Sequence, residues 1–199
     1  MSASVNHVAT GAEKDAKKEA KELTHQDKLK EIVDGYVKSF SDAENKEKYL
    51  EEFEKGALDE KNVTKLEFLA AVYSSGMGDF KADQKKAEPI IKKGAELGST
   101  ACMISYGERV GANDPVKANE YFQRALNLKD YRAANAMGVV CLRAGKLDEA
   151  IGHFNLAATH NVPIAAKNAV VAKTQSTIQM MTKIIQYMKQ NLMAFTGNK

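Results

Sequence analysis

Apolar residues recur every three or four positions along most of the chain, which is the spacing of one face of an α-helix. The first such stripe consists of Leu29, Ile32, Val33, Tyr36, Val37 and Phe40. Three pairs of residues resemble a capping box, which marks the start of a helix: Thr24 with Asp27, Ser41 with Glu44, and Thr64 with Glu67. No segment alternates apolar and polar positions over several residues. The pattern therefore predicts an all-α protein without strands.

Short alanine-containing segments repeat at a nearly constant distance. Their alanines are Ala87 and Ala95, then Ala118 and Ala125, then Ala150 and Ala157, with the first alanines 31 and 32 residues apart. Small residues recur where two helices touch closely, because a larger side chain would separate the axes. Asp114 and Pro115 suit the N-cap and first position of a helix, and Gly145 suits a left-handed C-cap. The repeats therefore predict stacked helical hairpins.

Residues 131–163 resemble a tetratricopeptide repeat. The positions that carry the resemblance are Ala134, Gly138, Gly145, Ala150, Phe154 and Ala157. Residues 69–98, with Tyr73, Gly76 and Gly78, resemble the related Sel-type repeat, and residues 99–130 resemble both. In this middle unit Tyr106-Gly107 stands where a lone glycine is expected, so its first helix is displaced by about one position. The resemblance implies an α-solenoid of antiparallel helical hairpins.

Four segments follow from these patterns. We expect a disordered charged tail over residues 1–23, N-terminal helices over 24–60, a repeat array over 61–173, and an amphipathic helix with a short tail over 174–199. The last segment carries a heptad-like stripe, which we name the C-terminal seam: Ile178, Met181, Ile185, Met188 and Leu192. Three interpretations stay open. The helix caps the array, it pairs with a second copy or a partner helix, or it lies on a membrane surface.

Charge is distributed unevenly, although the formal net charge is only +3. Residues 1–100 contain 17 basic and 20 acidic residues, whereas residues 101–199 contain 12 and 6, and no acidic residue follows Glu149. This excess is too small to predict nucleic acid or a membrane as a partner. The chain has two cysteines, Cys102 and Cys141, and residues 1–25 lack the apolar stretch of a signal peptide. We expect a cytoplasmic protein with reduced thiols.

No catalytic constellation stands out in the sequence. The four histidines (His7, His25, His153 and His160) are scattered, and none has a cysteine or carboxylate at the spacing of a metal site. No serine or cysteine has the context of a nucleophile, and the glycines near Met77 lack the lysine of a phosphate loop. The sequence predicts neither an enzyme nor a bound metal or cofactor.

The resemblance implies a function, because tetratricopeptide arrays bind peptides or helices in a concave groove lined by the first helix of each hairpin. The corresponding positions are Glu67, Ala71, Arg109, Arg132, Asn135, Val139, Arg143 and Asn168. Arg132 and Arg143 could hold carboxylates, and Asn135 a peptide backbone, so an acidic segment or a C-terminal carboxylate is the expected ligand. We therefore expect a protein-binding scaffold or adaptor. The alternative is a secretion-type chaperone that homodimerises and holds a client segment.

Overall fold

The computed structural model describes residues 25–78 and 80–196, with side chains for 27–78 and 80–191. Over these ranges the protein is all-helical, as predicted. The nine helices are α1 His25–Asp42, α2 Lys46–Asp59, α3 Val63–Ser75, α4 Gln84–Glu96, α5 Thr100–Val110, α6 Pro115–Asn127, α7 Arg132–Arg143, α8 Leu147–Thr159 and α9 Ala165–Thr196. The described residues form no strand, only an isolated antiparallel bridge between Met77 and Phe80. The predicted disordered tail and the predicted cap at Thr24 lie outside the described residues.

The chain divides into two compact units, one ending at Glu44 and the other beginning at Asn45. The first unit contains α1, and its bounds agree with the apolar stripe that predicted it. The second unit contains α2 to α9. Helix α2, which we had grouped with the N-terminal helices, packs against α3 and therefore belongs to the second unit.

Asx and serine side chains cap most helices of the second unit. Asp114 accepts a hydrogen bond from the backbone N–H of Lys117 at 2.9 Å, and Pro115 occupies the first turn, as predicted. The predicted starts at Ser41 and Thr64 are wrong. Asn45 and Asn62 cap α2 and α3 instead, while the Ser41 hydroxyl donates to a carbonyl inside α1.

Each helix from α2 onward packs against the next, and the first helices of successive hairpins also touch, α3 against α5 and α5 against α7. The repeated alanines mark the closest approaches. All six are completely buried in α4, α6 and α8: Ala87, Ala95, Ala118, Ala125, Ala150 and Ala157. Their burial confirms the prediction that small residues lie where helices meet.

Two glycines bring helix backbones against aromatic rings. A Cβ atom at Gly107 would lie 2.5 Å from a ring carbon of Phe122, and one at Gly138 would lie 2.5 Å from a ring carbon of Phe154. Both rings are almost completely buried. The two hairpins α5–α6 and α7–α8 therefore use the same contact, and the one-residue displacement of the middle unit does not disturb it.

Gly145 follows the end of α7 in the predicted left-handed conformation, with φ at 74°. The N–H of Lys146 donates to the carbonyl of Cys141 at 2.9 Å, and the N–H of Gly145 donates to that of Leu142 at 3.1 Å. These two bonds are the signature of a Schellman C-cap, which satisfies carbonyls that the helix end would leave unpaired.

Helix α9 is a single helix of 32 residues, so the segment boundary that we expected at residue 174 lies inside it. Its first three turns bury Ala165, Ala169 and Ala172, and α9 packs against α8. From residue 177 to residue 191 every side chain is exposed. The first turns of α9 therefore pack on α8, whereas the described side chains of the C-terminal seam are exposed. None of the described helices has both the length and the hydropathy of a membrane span.

Candidate protein-binding face

Two adjoining depressions lie on the side of the second unit formed by α3, α5 and α7. One, of about 250 Å³, includes Glu67 and Ala71 in its lining. The other, of about 460 Å³, is lined by Ser74, Ser105, Glu108, Arg109, Ala136, Val139, Val140 and Arg143. Ser74 and Ser105 line both depressions, so the two form one continuous surface. We call this surface the α3–α5–α7 face.

Three of the predicted groove residues, Arg109, Val139 and Arg143, line the larger depression together. Arg109 is held in place by α3 and α4. Its Nη1 donates to Gln84 Oε1 at 2.8 Å, and its Nη2 donates to the hydroxyl of Ser74 at 2.9 Å. Both acceptors are neutral, so among the described residues these two hydrogen bonds pair Arg109 with no counter-ion. The guanidinium is thus oriented by hydrogen bonds to neutral groups.

Glu108 also lines the larger depression, although no sequence pattern indicated it. Burial raises the pKa of this carboxyl above its ordinary value, while the charges of Arg143 and Arg109 oppose the rise. When Glu108 is ionised, one negative charge faces two positive charges. The larger depression therefore keeps a net positive charge.

Arg132 does not join these residues. Its Nε and Nη2 donate to the two carboxylate oxygens of Asp130, and its backbone N–H donates to Asp130 Oδ1 at 3.1 Å. Burial alone would raise the pKa of Asp130, but the hydrogen bonds from Arg132 and Thr100 leave that pKa below its ordinary value. The carboxylate fork that we expected at Arg132 is already formed within the chain.

Asn135 and Asn168, both predicted groove residues, bond to each other across α7 and α9. Asn168 Nδ2 donates to Asn135 Oδ1 at 2.9 Å. This bond leaves the amide donor of Asn135 available to a ligand and fixes the orientation of its side chain.

Glu67 accepts a hydrogen bond from the residue that caps the start of α5. The hydroxyl of Ser99, which is only 3% exposed, donates to Glu67 Oε1. The same hydroxyl oxygen accepts from the backbone N–H of Cys102 at 3.0 Å and so caps α5. Glu67 therefore stabilises the capping serine, and it closes the far end of the α3–α5–α7 face with an acidic group.

The C-terminal seam lies on the exposed part of α9. Ile178, Met181, Ile185 and Met188 are 58%, 55%, 51% and 63% exposed, respectively. Leu192 belongs to the helix, but its side chain lies outside the described residues. The structure thus places this stripe of apolar side chains in solvent.

A separate cavity of about 430 Å³ between α6, α7 and α8 is lined in part by Cys141, Glu149 and His153. Burial raises the pKa of the Cys141 thiol, and Glu149 raises it further. Burial lowers the pKa of His153. Both shifts favour the neutral forms, whereas a nucleophilic cysteine needs its thiolate. Among the residues that the structure describes, no group of three or more His, Cys, Asp or Glu residues is placed to hold a metal ion.

Comparisons of the chain with protein-family models, with curated proteins and with solved structures gave no match. A function for this chain is therefore inferred from its own geometry.

Proposed function

We propose that this protein is a non-enzymatic scaffold or adaptor, a tetratricopeptide- or Sel-like α-solenoid that binds an acidic peptide segment on its α3–α5–α7 face. The observation that carries the proposal is the pairing of Arg109 and Arg143 in one depression of about 460 Å³. The contacts between α3 and α5 and between α5 and α7 are those expected when the first helices of a repeat array line one surface.

Each side chain of the depression has a distinct role in this proposal. Arg109 presents a charge whose orientation Ser74 and Gln84 already fix, so a ligand loses little further conformational entropy there. Arg143 is exposed and can turn to accept a carboxylate in a bidentate pair. The carboxylate of Glu108 repels a ligand that is acidic at every position. A segment that places a carboxylate near each arginine and a neutral or basic residue near Glu108 fits best.

The floor of this surface suits an extended peptide. Ala71, Ser105 and Ala136 have short side chains, so a peptide backbone can approach the helices closely. The hydroxyls of Ser74 and Ser105, which line both depressions, can bond to backbone carbonyls. The contacts to the backbone would supply affinity, and the arginines would select the acidic side chains or the terminal carboxylate.

The test is fluorescence anisotropy with a labelled Asp- and Ala-rich peptide that ends in a free carboxylate, beside its Asn-for-Asp and C-terminally amidated versions. Arg143→Gln with Arg109→Gln should weaken binding of the acidic peptide about tenfold or more, since each lost charged hydrogen bond is worth about 1.5–3 kcal/mol. Arg132→Gln is the control. It removes one positive charge outside the larger depression, where the test variant removes two inside it, and should leave affinity nearly unchanged.

Equal losses in the Arg132→Gln variant and in the Arg109→Gln, Arg143→Gln variant would mean that bulk charge, and not this surface, attracts the peptide. Failure of the wild type to prefer the acidic peptide over its Asn-for-Asp version would refute the choice of ligand. Thermal unfolding of each variant checks that a loss of binding is not a loss of folding.

The exposed C-terminal seam favours a second candidate function, the secretion-type chaperone that homodimerises and holds a client segment. In that case disrupting the seam would abolish client binding as well as dimerisation. In the scaffold, seam variants would leave peptide affinity unchanged. The free thiols of Cys102 and Cys141 are compatible with the reducing cytoplasmic setting that either function assumes.

A further inference from the structure

Helix α9 extends far beyond the helix that supports it. Among the described side chains of α9, that of Ala172 is the last that is fully buried, and the helix continues to Thr196. At 1.5 Å per residue this extension is about 35 Å long. All its described side chains except that of Ser176 are exposed.

The extension has little that would keep it helical by itself. It contains no acidic residue, so it gains nothing from ion pairs one turn apart. Thr174, Thr177 and Thr182 each donate a side-chain hydrogen bond to the carbonyl four residues earlier, an arrangement that weakens and bends helices. In proteins most of the stability of a helix comes from packing of its amphipathic face, and the described side chains of the extension are almost all exposed. The extension therefore needs a partner that packs along it.

The apolar stripe of α9 is longer than the C-terminal seam that the sequence indicated. Val171 lies one heptad before Ile178 and is 48% exposed. The first position of successive heptads is occupied by Val171, Ile178, Ile185 and Leu192. The fourth position is occupied by Thr174, Met181, Met188 and Phe195. The alanines that pack on α8 lie on the opposite side of the helix. A second helix can therefore lie along the stripe without displacing α8.

The exposed area reaches what a dimer requires. Six described apolar side chains on the stripe and its flank are about half to two-thirds exposed: Val171, Ile178, Met181, Ile184, Ile185 and Met188. At roughly 100 Å² each they present about 600 Å² per chain, which is the lower bound of what each partner of a specific complex buries.

We propose that the occupant is a second copy of this chain, paired through α9 as a parallel two-stranded coiled coil. Three of the four first positions are β-branched and the fourth positions are mostly unbranched, the distribution that favours two strands over three or four. Charge does not oppose the pairing. Lys183 lies on the outer face, and Lys189 meets Ile184 of the second copy, where its alkyl stem covers apolar surface. This proposal does not depend on the α3–α5–α7 face.

An acidic partner helix and an anionic membrane fit less well. Lys189 is the one described charge that flanks the stripe beyond Thr174, so an acidic helix would gain a single ion pair at the interface. The three lysines of the extension, Lys173, Lys183 and Lys189, give only about 1 kcal/mol each at an anionic surface.

Light scattering coupled to size exclusion, with the full chain at several micromolar concentrations, tests the proposal. One chain has a mass of 21.8 kDa, and the wild type should have twice that mass. Ile178→Glu with Ile185→Glu should halve the mass, because it places charges in the interface. The control, Gln179→Glu with Gln186→Glu, adds the same charges on the polar face and should stay dimeric. A monomeric wild type, or a dimeric Ile178→Glu, Ile185→Glu variant, would overturn the proposal.

Two further measurements make the outcome specific. Far-UV circular dichroism checks that α2 to α8 stay folded in the seam variant, whose substitutions lie beyond the turns that pack on α8. With Cys141→Ser as background, Met188→Cys should form an intermolecular disulfide on oxidation, whereas Gln186→Cys should not. A dimer that cross-links equally at both positions, or at neither, contradicts the parallel arrangement. A monomeric wild type that sediments with phosphatidylserine-containing vesicles would assign α9 to membranes instead.

Discussion

The contact between Gly138 and Phe154 predicts what a single methyl group does to the α7–α8 hairpin. In Gly138→Ala the new Cβ would lie 2.5, 2.6 and 3.0 Å from three ring carbons of Phe154. An ordinary contact needs at least about 3.4 Å, so the ring or the helix must move by nearly 1 Å. Phe154 is fully buried with Ala150, Ala169 and Ala172, which leaves the ring no open direction.

The expected magnitude combines two opposing effects. Overpacking of this kind costs about 1–3 kcal/mol. Replacing glycine by alanine inside a helix returns about 0.5–1 kcal/mol. We therefore expect a net loss of about 1–2 kcal/mol in the free energy of unfolding, which lowers Tm by roughly 2–8 °C for a chain of this length. Urea unfolding followed by circular dichroism measures the free energy directly.

Gly152→Ala is the matched control, because Gly152 lies on α8 two residues before Phe154 and a Cβ there meets nothing within 4 Å. This variant should gain about 0.5–1 kcal/mol. In a Phe154→Leu background, which removes the ring atoms that clash, Gly138→Ala should become neutral or stabilising. If Gly138→Ala stabilises the wild type as much as Gly152→Ala does, or costs the same in both backgrounds, the close approach does not govern this hairpin.

Three further predictions follow from the same structure. Gly145→Ala should lower the free energy of unfolding by about 1–2 kcal/mol in urea titrations, because φ of 74° is unfavourable for any residue with a Cβ; an unchanged midpoint would contradict it. Asp114→Ala should lose about 1 kcal/mol by the same assay, since it removes the acceptor for the N–H of Lys117, whereas Asp114→Asn should lose much less. Asp130→Asn should lose about 1.5 kcal/mol at pH 7 through its bonds to Arg132. Because the folded pKa of Asp130 lies below the unfolded one, its stabilisation is complete above the unfolded pKa near 3.8 and disappears as the pH falls through the folded pKa, so the difference between wild type and Asp130→Asn should shrink in acid.

The sequence predicted the fold best where one residue type has one structural use. The buried alanines could be predicted from their spacing, and the left-handed Gly145 from its residue type, without knowing which residues surround them. The starts of α2 and α3 were missed because several polar side chains can cap a helix. Asn45 and Asn62 compete with Ser41 and Thr64, and only the packing of the finished helices decides between them.

The candidate site was harder to predict for a physical reason. Spacing identifies the residues on one helix face, but it does not determine which faces of α3, α5 and α7 meet. Glu108 and Ser105 were therefore missed, although they line the same depression as Arg109. Arg132 was chosen by its position on α7, although the carboxylate that occupies it is only two residues away. Local pairing occupies Arg132, and packing between hairpins places Ser105 and Glu108 in the larger depression.

The contacts between successive helices also determine how this chain should fold. The main packing partners are neighbours in the sequence, or the next helix but one. Forming such contacts closes only short loops, so the second unit should fold rapidly for its length. Loss of structure can likewise begin at one end and advance hairpin by hairpin. The alanine-lined contact between α8 and α9 protects the C-terminal end from this fraying, and α2 and α3 should exchange their amide hydrogens before α7 and α8 do.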